Sequence, residues 1–182
     1  MTDPREELVE HIGSMRAFAM SLARNSALAD DLVQDAMLKA WANIDKFQPG
    51  TNMRAWLFTI LRNIFYSHHR KAKREVADVD GEFAASVAQK PDHDGRLLMK
   101  EFAGACAELN EEQREALVLI GAGGFSYEEA AEMCDVAIGT MKSRVNRARA
   151  RLAELMQVDE DEAMEATDTV THGIVAAQRN IA

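Results

Sequence analysis

FSYEEAAEMCDVAIGTMKSRVNRARARL, residues 125–152, decides how this chain is read. Ser126 and Glu129 stand at the spacing of a capping box, in which the first side chain accepts from an orphan amide and the second reaches back. Small Ala130 and Ala131 allow a close helix approach, a turn falls around residues 134–137, and a second helix opens near Gly139 and Thr140. Met141, Val145, Ala148 and Leu152 recur at helical spacing as an inward stripe. Thr140, Lys142, Ser143, Arg144, Asn146, Arg147, Arg149 and Arg151 fill the other faces. That is the layout of a helix-turn-helix, whose second helix enters the DNA major groove. The N-terminal half of such a helix meets base edges, which favours Lys142, Ser143, Asn146 and Arg147 over Arg151. A solvated face on an ordinary helix is the bland alternative, because Arg and Lys are good helix formers. Residues 139–152 hold five Lys/Arg and no Asp/Glu, whereas solvated faces interleave signs.

Working outward, the same charge pattern recurs once. Residues 62–74, RNIFYSHHRKAKR, also hold five Lys/Arg and no acid. The net charge of the 182-residue chain is −9, which taken alone argues against an anionic partner. The average hides two basic islands in an acidic chain, and two islands point to two separate anionic contacts. The apolar content of 47% is enough to bury real cores. No apolar run approaches the ~18 residues of a membrane span, and the charged start MTDPREELVEH lacks a secretory h-region. A soluble, cytoplasmic protein is expected. Cys106 and Cys134 have no CxxC spacing and read as buried thiols.

Helical periodicity dominates the N-terminal part. Residues 5–24 fit one helix through Leu8, Ile12, Met15, Phe18, Ala19 and Leu22. Leu32, Val33, Ala36, Met37, Ala40, Trp41 and Ile44 share a face of the next, which ends before Pro49-Gly50 with Phe47 packed back. Met53, Trp56, Leu57, Ile60, Leu61, Ile64 and Phe65 form the stripe of a third. Trp56 and Phe65 therefore read as core rather than as stacking platforms. Residues 75–96 lose periodicity and carry Gly81, Pro91 and Gly95, which suits a linker. Pattern returns over 97–156, where Asn110 and Gln113 repeat the capping spacing and Gly121, Gly123 and Gly124 break the chain. The tail 157–182 is acidic, then weakly amphipathic. The expected architecture is all-α: two small helical domains, 5–74 and 97–156, joined by a flexible linker.

The string S-Y-E-E-A-A-E…I-G-T-M-K-S-R-V-N-R-A-R-A-R-L closely resembles region 4 of the extracytoplasmic-function sigma factors. That resemblance implies binding of the promoter minus-35 element and adds Arg114 as a DNA-contacting position. Asn110 stands where the family usually has proline, and Asp135 where the turn usually has glycine. Aspartate tolerates a left-handed backbone better than most residues, so the turn survives. ADDLVQDAMLKAWANIDKF and MRAWLFTILRN resemble sigma region 2. The first string then implies a surface for core RNA polymerase, with Asp31, Gln34, Asp35 and Lys39 as contacts. Acids near a helix start also suit its dipole without any partner.

Aromatic groups interleaved with cations suit single-stranded DNA, where cations follow phosphates and flat rings receive unstacked bases. Region 2 captures the melted minus-10 strand in this way. The resemblance assigns the loop residues Gln48, Thr51 and Asn52, with Asn63 hydrogen-bonding a flipped base, Tyr66 beside it, and Arg70, Lys71, Lys73 and Arg74 on phosphates. His68 and His69 point apart on a helix and lack a third ligand, so no metal is expected. A 20-residue linker spans at most ~70 Å, about two turns of duplex.

LRNIFYSHHRKAKREV, HDGR and the region 4 string look like the general-stress-response subgroup of alphaproteobacteria, which implies control by a small anti-sigma protein. An operator-binding regulator would explain 126–152 but not the island at 62–74. A sigma-like decoy that binds only an anti-sigma protein would not need basic residues on both domains. No nucleophile–base pair, metal-ligand spacing or phosphate loop points to an enzyme or a cofactor.

Overall fold

A computed structural model of the chain describes residues 4–76 and 94–157. The described residues are helical, without strand, and fall into two compact units divided between residues 87 and 88. Most of the expected linker and the tail 158–182 lie outside the described residues, although helix enters the linker range at both ends.

The first unit contains α1 (Pro4–Glu10), α2 (Ile12–Ala23), α3 (Ser26–Ala42) and α4 (Met53–Val76). Pro4 opens α1, where its fixed φ and missing N–H cost nothing. The single helix expected over 5–24 is broken at His11, a turn residue with φ −94° and ψ −6° between α1 and α2. Ile12, which opens α2, is 38% exposed instead of joining the core. Helix α2 ends at Arg24 in the left-handed region, and Asn25 restarts the chain by accepting from the Leu28 N–H at 2.9 Å.

Helices α2, α3 and α4 pack on one another around Met15, Phe18, Leu32, Leu57, Phe58 and Leu61. The Phe18 and Phe58 rings stack at 4.7 Å, a pair worth about 0.5–1.5 kcal/mol beyond its burial. Phe47 is buried and meets Trp56 at 5.4 Å. Trp41 is a correction: it is 55% exposed, not core. The face of α3 that packs is built from Ala29, Leu32, Val33, Ala36 and Ala40. Trp41 lies on its flank, where the Arg5 guanidinium sits 5.4 Å from the ring.

The second unit contains α5 (Asp94–Glu108), α6 (Glu111–Leu117), a π-helical turn (Val118–Ala122), α7 (Tyr127–Cys134) and α8 (Ile138–Met156). Helix α8 is its axis, packed by α5, α6 and α7. Met141, Val145, Ala148 and Leu152 are all essentially inaccessible, as the periodicity predicts. Gly123 closes the π turn by donating to Val118 O at 2.7 Å. A Cβ there would stand 2.4 Å from Leu119 O and 2.8 Å from the Phe125 ring, so only glycine fits.

Candidate nucleic-acid interface

The helix-turn-helix is built as its sequence demands. Ser126 Oγ accepts from the Glu129 N–H at 3.1 Å, and Glu129 Oε2 accepts from the Ser126 N–H at 2.9 Å. Asp135 occupies the turn at φ 53° and ψ 50°, the left-handed conformation that glycine would take. Asn110 caps α6 by accepting from the Gln113 N–H at 2.8 Å.

These elements hold α8 so that its first two turns stand proud. Thr140, Lys142, Asn146 and Arg147 are exposed, whereas Ser143, Arg144 and Arg149 are half-buried. On one flank the Lys142 ammonium lies 5.8 Å from the centre of the Tyr127 ring on α7. On the other, Arg144 pairs with Glu112 of α6 at 3.0 Å, with 16% of its side chain exposed. Arg144 therefore fixes the recognition helix against its neighbour. Thr140, Asn146 and Arg147 are exposed on the same helix.

Arg114, the further position that the resemblance assigns to DNA, is largely enclosed by the second unit. It is 7% exposed, and its Nη1 donates to Leu109 O at 3.0 Å, with Ala107 O at 3.4 Å and Cys106 O at 3.5 Å. A helix C-terminus leaves carbonyls unsatisfied and carries partial negative charge. Arg114 answers both for α5 from within the protein. Nearby, burial pushes the Cys106 thiol up to about 11, against a smaller downward pull from the Arg114 charge.

In the first unit, the minus-10 candidates collect on and before α4. Gln48, Thr51 and Asn52 are exposed in the preceding loop, where Gly50 adopts φ 89°. The Thr51 hydroxyl donates to Gln48 O at 2.7 Å, and Asn52 Oδ1 accepts from the Ala55 N–H at 3.2 Å. The loop is thus stapled to the helix start, and two of its polar groups also serve the turn. Asn63, Arg70 and Lys71 are exposed along α4, and Tyr66 is half-buried. The side chains of Lys73 and Arg74 lie outside the described residues.

The expected polymerase face is a continuous surface of α3. Asp31, Gln34, Asp35 and Lys39 are all exposed, opposite the packed face, and share their side with Leu38 at 65% exposure. Leu38 escaped the reading of polar contacts, although its place between Asp35 and Lys39 marks it. Asp35 Oδ2 lies 3.8 Å from His68 Nε2 across an open groove of about 480 Å³ between α3 and α4, which Leu38, Lys39, Ile64 and Ser67 also line. Asp30, by contrast, is tied to Arg16 at 2.6 Å. The Arg16 hydrogen bond holds its carboxyl below the usual carboxylate range.

Two basic helices on separate helical units, with an exposed mixed face beside one of them, are the working parts of a transcription-initiation factor. The chain matches the Sigma-70 region 2 model over residues 8–75 and the Sigma-70 region 4 model over residues 100–152. It is 52% identical over 166 residues to the ECF RNA polymerase sigma factor EcfG of Rhodopseudomonas palustris, covering 91% of this chain and 92% of that one. Among solved structures it resembles the sigma factor RpoE in complex with the anti-sigma factor NepR from Bartonella quintana. There the TM-score is 0.80 at 54% identity, over 87% of this chain and 99% of that one. CnrH in complex with the cytosolic domain of CnrY is similar at a TM-score of 0.56 and 27% identity, over 84% and 86% of the two chains. The chain belongs to the extracytoplasmic-function (ECF) family of RNA polymerase sigma factors. Among the described residues, no helix is long and apolar enough to cross a membrane.

Proposed function

We propose that this ECF sigma factor joins core RNA polymerase through the exposed α3 face, reads the minus-35 duplex with α8, and captures the opened minus-10 strand along α4. The observation that carries the assignment is the pairing of one acid-free basic helix with each compact unit, because two separated promoter elements need two separate readers. On α3, Leu38 supplies apolar area at the centre, and Asp31, Gln34, Asp35 and Lys39 supply a polar rim, the composition of a protein interface. On α8, Asn146 and Arg147 offer groups that hydrogen-bond purine edges, while Lys142 is placed for phosphate. The chain itself performs no covalent chemistry; the polymerase makes the bonds.

A cytoplasmic anti-sigma protein is the proposed regulator, and the general stress response the proposed programme. Support comes from the 52% identity to EcfG and from the solved relatives, which were captured with NepR and with the cytosolic domain of CnrY.

The test is co-elution of the full chain with bacterial core RNA polymerase, followed by transcription from promoter DNA. A stable holoenzyme that initiates is expected, and Leu38→Asp is expected to abolish it without unfolding the chain. Arg147→Ala should weaken promoter binding by about 1–3 kcal/mol if that side chain meets a base. Tight duplex binding by the free chain, with no association to core, would instead make it an operator-binding regulator.

A further inference from the structure

We propose that the acidic segment 158–168 of this chain docks on the exposed stripe of α8 when no DNA is bound, so that the free sigma factor covers its own duplex-reading face. The docking rests on the reading of α8 as that face and adds to it an occupant and a control. The segment, VDEDEAMEATD, holds Asp159, Glu160, Asp161, Glu162, Glu165 and Asp168, and no Lys or Arg. It lies outside the described residues and follows α8 after the single residue Gln157. The receiving surface is described along its whole length. Lys142, Asn146, Ala150 and Glu154 are exposed at four-residue steps along α8, with Arg147 and Arg151 exposed in the adjacent row. Two cations of this helix are answered within the unit, Arg144 by Glu112 at 3.0 Å and Arg151 by Glu154 at 2.6 Å. Among the described residues no acid pairs with Arg147, or with Lys142, which has the Tyr127 ring beside it at 5.8 Å.

Covalent reach permits the contact. Gln157 adopts φ 55° and ψ 37°, a left-handed conformation that ends the helix at this residue. From Gln157 back to Arg147 the helix covers about 15 Å, and back to Lys142 about 22 Å. An extended chain covers up to about 3.4 Å per residue, so Glu162 can reach the level of Arg147, and Glu165 that of Lys142. The segment is joined to the second unit, which favours α8 over the basic island of the first. An exposed ion pair contributes little by itself. Tethering changes the balance, because a short linker holds the segment at an effective concentration of millimolar order. A segment that binds in trans at ~0.1 mM would then be docked about nine-tenths of the time and weaken duplex binding about tenfold. Duplex DNA presents one charge per ~1.7 Å and displaces the segment at a promoter.

The test compares the full chain with a full-length variant whose six acids are neutralised: Asp159→Asn, Glu160→Gln, Asp161→Asn, Glu162→Gln, Glu165→Gln and Asp168→Asn. The first readout is the backbone amide resonances of the two free proteins. At about 50 mM salt, differences concentrated at Lys142, Asn146 and Arg147 are expected, and at about 500 mM they should vanish as the charges are screened. The second readout is affinity for a duplex that wild-type holoenzyme selects from a pool randomised over the minus-10 and minus-35 segments. As a free chain the variant should bind that duplex about tenfold more tightly than wild type. Tighter binding without localised resonance differences would reduce the segment to long-range repulsion, overturning the docking while leaving the α8 reading intact. Differences centred on Arg70 and Lys71 of α4 would place the segment on the other basic island and overturn the docking on α8. Localised differences on α8 that the selected duplex does not displace would overturn the α8 reading, and the blocking role with it.

Discussion

Arg114→Met is the substitution that most directly separates a structural role from a DNA-binding one. The arginine is 7% exposed and closes the C-terminal end of α5 through its 3.0 Å bond to Leu109 O. A hydrogen bond to a charged group contributes about 1.5–3 kcal/mol net. The approaches to Ala107 O at 3.4 Å and Cys106 O at 3.5 Å are too long to add much. Methionine preserves the apolar stem, so packing loss stays small, and release from burying a cation offsets part of the loss. The net expectation is about 1–2 kcal/mol of destabilisation in the second unit, a fall in Tm of about 5–15 °C for a domain of this size. Scanning calorimetry of the full chain would register it as a shift of one unit's transition. A second readout is independent of stability. The Arg114 charge holds the Cys106 thiol below where burial alone would put it, so the thiol should titrate still higher in the variant. A melting shift below about 2 °C together with weakened minus-35 binding would refute the clamp and favour a DNA contact for Arg114.

Further outcomes follow from local geometry. Gly123→Ala should cost about 1–3 kcal/mol by urea unfolding, because its Cβ would be driven against the Leu119 carbonyl and the Phe125 ring. Gly124→Ala, strained only by its φ of 65° with space around it, should cost about 1–2 kcal/mol. Asp135→Val should lose about 1–2 kcal/mol, since a β-branched residue strongly resists φ 53°, whereas Asp135→Asn should be nearly neutral. The Cys106 thiol, raised by burial to about 11 from an ordinary value near 9, should be alkylated at pH 8 on the order of a hundredfold more slowly in the native protein than in urea. The sign for stability follows directly. The folded state disfavours the thiolate, so the Cys106 contribution is intact below pH 9 and is lost as pH rises from about 9 to about 11. Cys106→Ser should flatten that part of the stability profile, and an unchanged slope would exclude the thiol as its source.

How much of this molecule could be read from its sequence depends on the range of the interaction concerned. The stripe of α8, the Ser126–Glu129 box and the left-handed Asp135 involve residues within a few positions of each other, and each stands where periodicity or capping chemistry places it. Flank positions are harder. Trp41 satisfies the apolar spacing of α3, yet the helices leave it at the edge of the packed face, and periodicity alone does not reveal where a face ends. Phe58 is the converse case, absent from the expected stripe but stacked on Phe18 of α2. The break at His11 carries no proline, and the π turn depends on how closely Gly123 approaches a carbonyl.

The same distinction governs the candidate sites. Charge sign is a local property, so the two basic islands are plain in the sequence. Which cations remain open to DNA is a tertiary property. Arg144 is held by Glu112 and Arg114 by the end of α5, partners brought close by helix packing and invisible to any count of positive charges. The sequence therefore identifies the basic helix as a whole, and the fold then sorts its side chains by exposure and pairing. It turns Arg144 toward α6, holds Lys142 beside Tyr127, and leaves Thr140, Asn146 and Arg147 facing outward. On α4 the sequence pattern missed a contact of the same kind, because a cation not singled out in the sequence, Arg62, is laid over the Tyr66 ring at 4.7 Å.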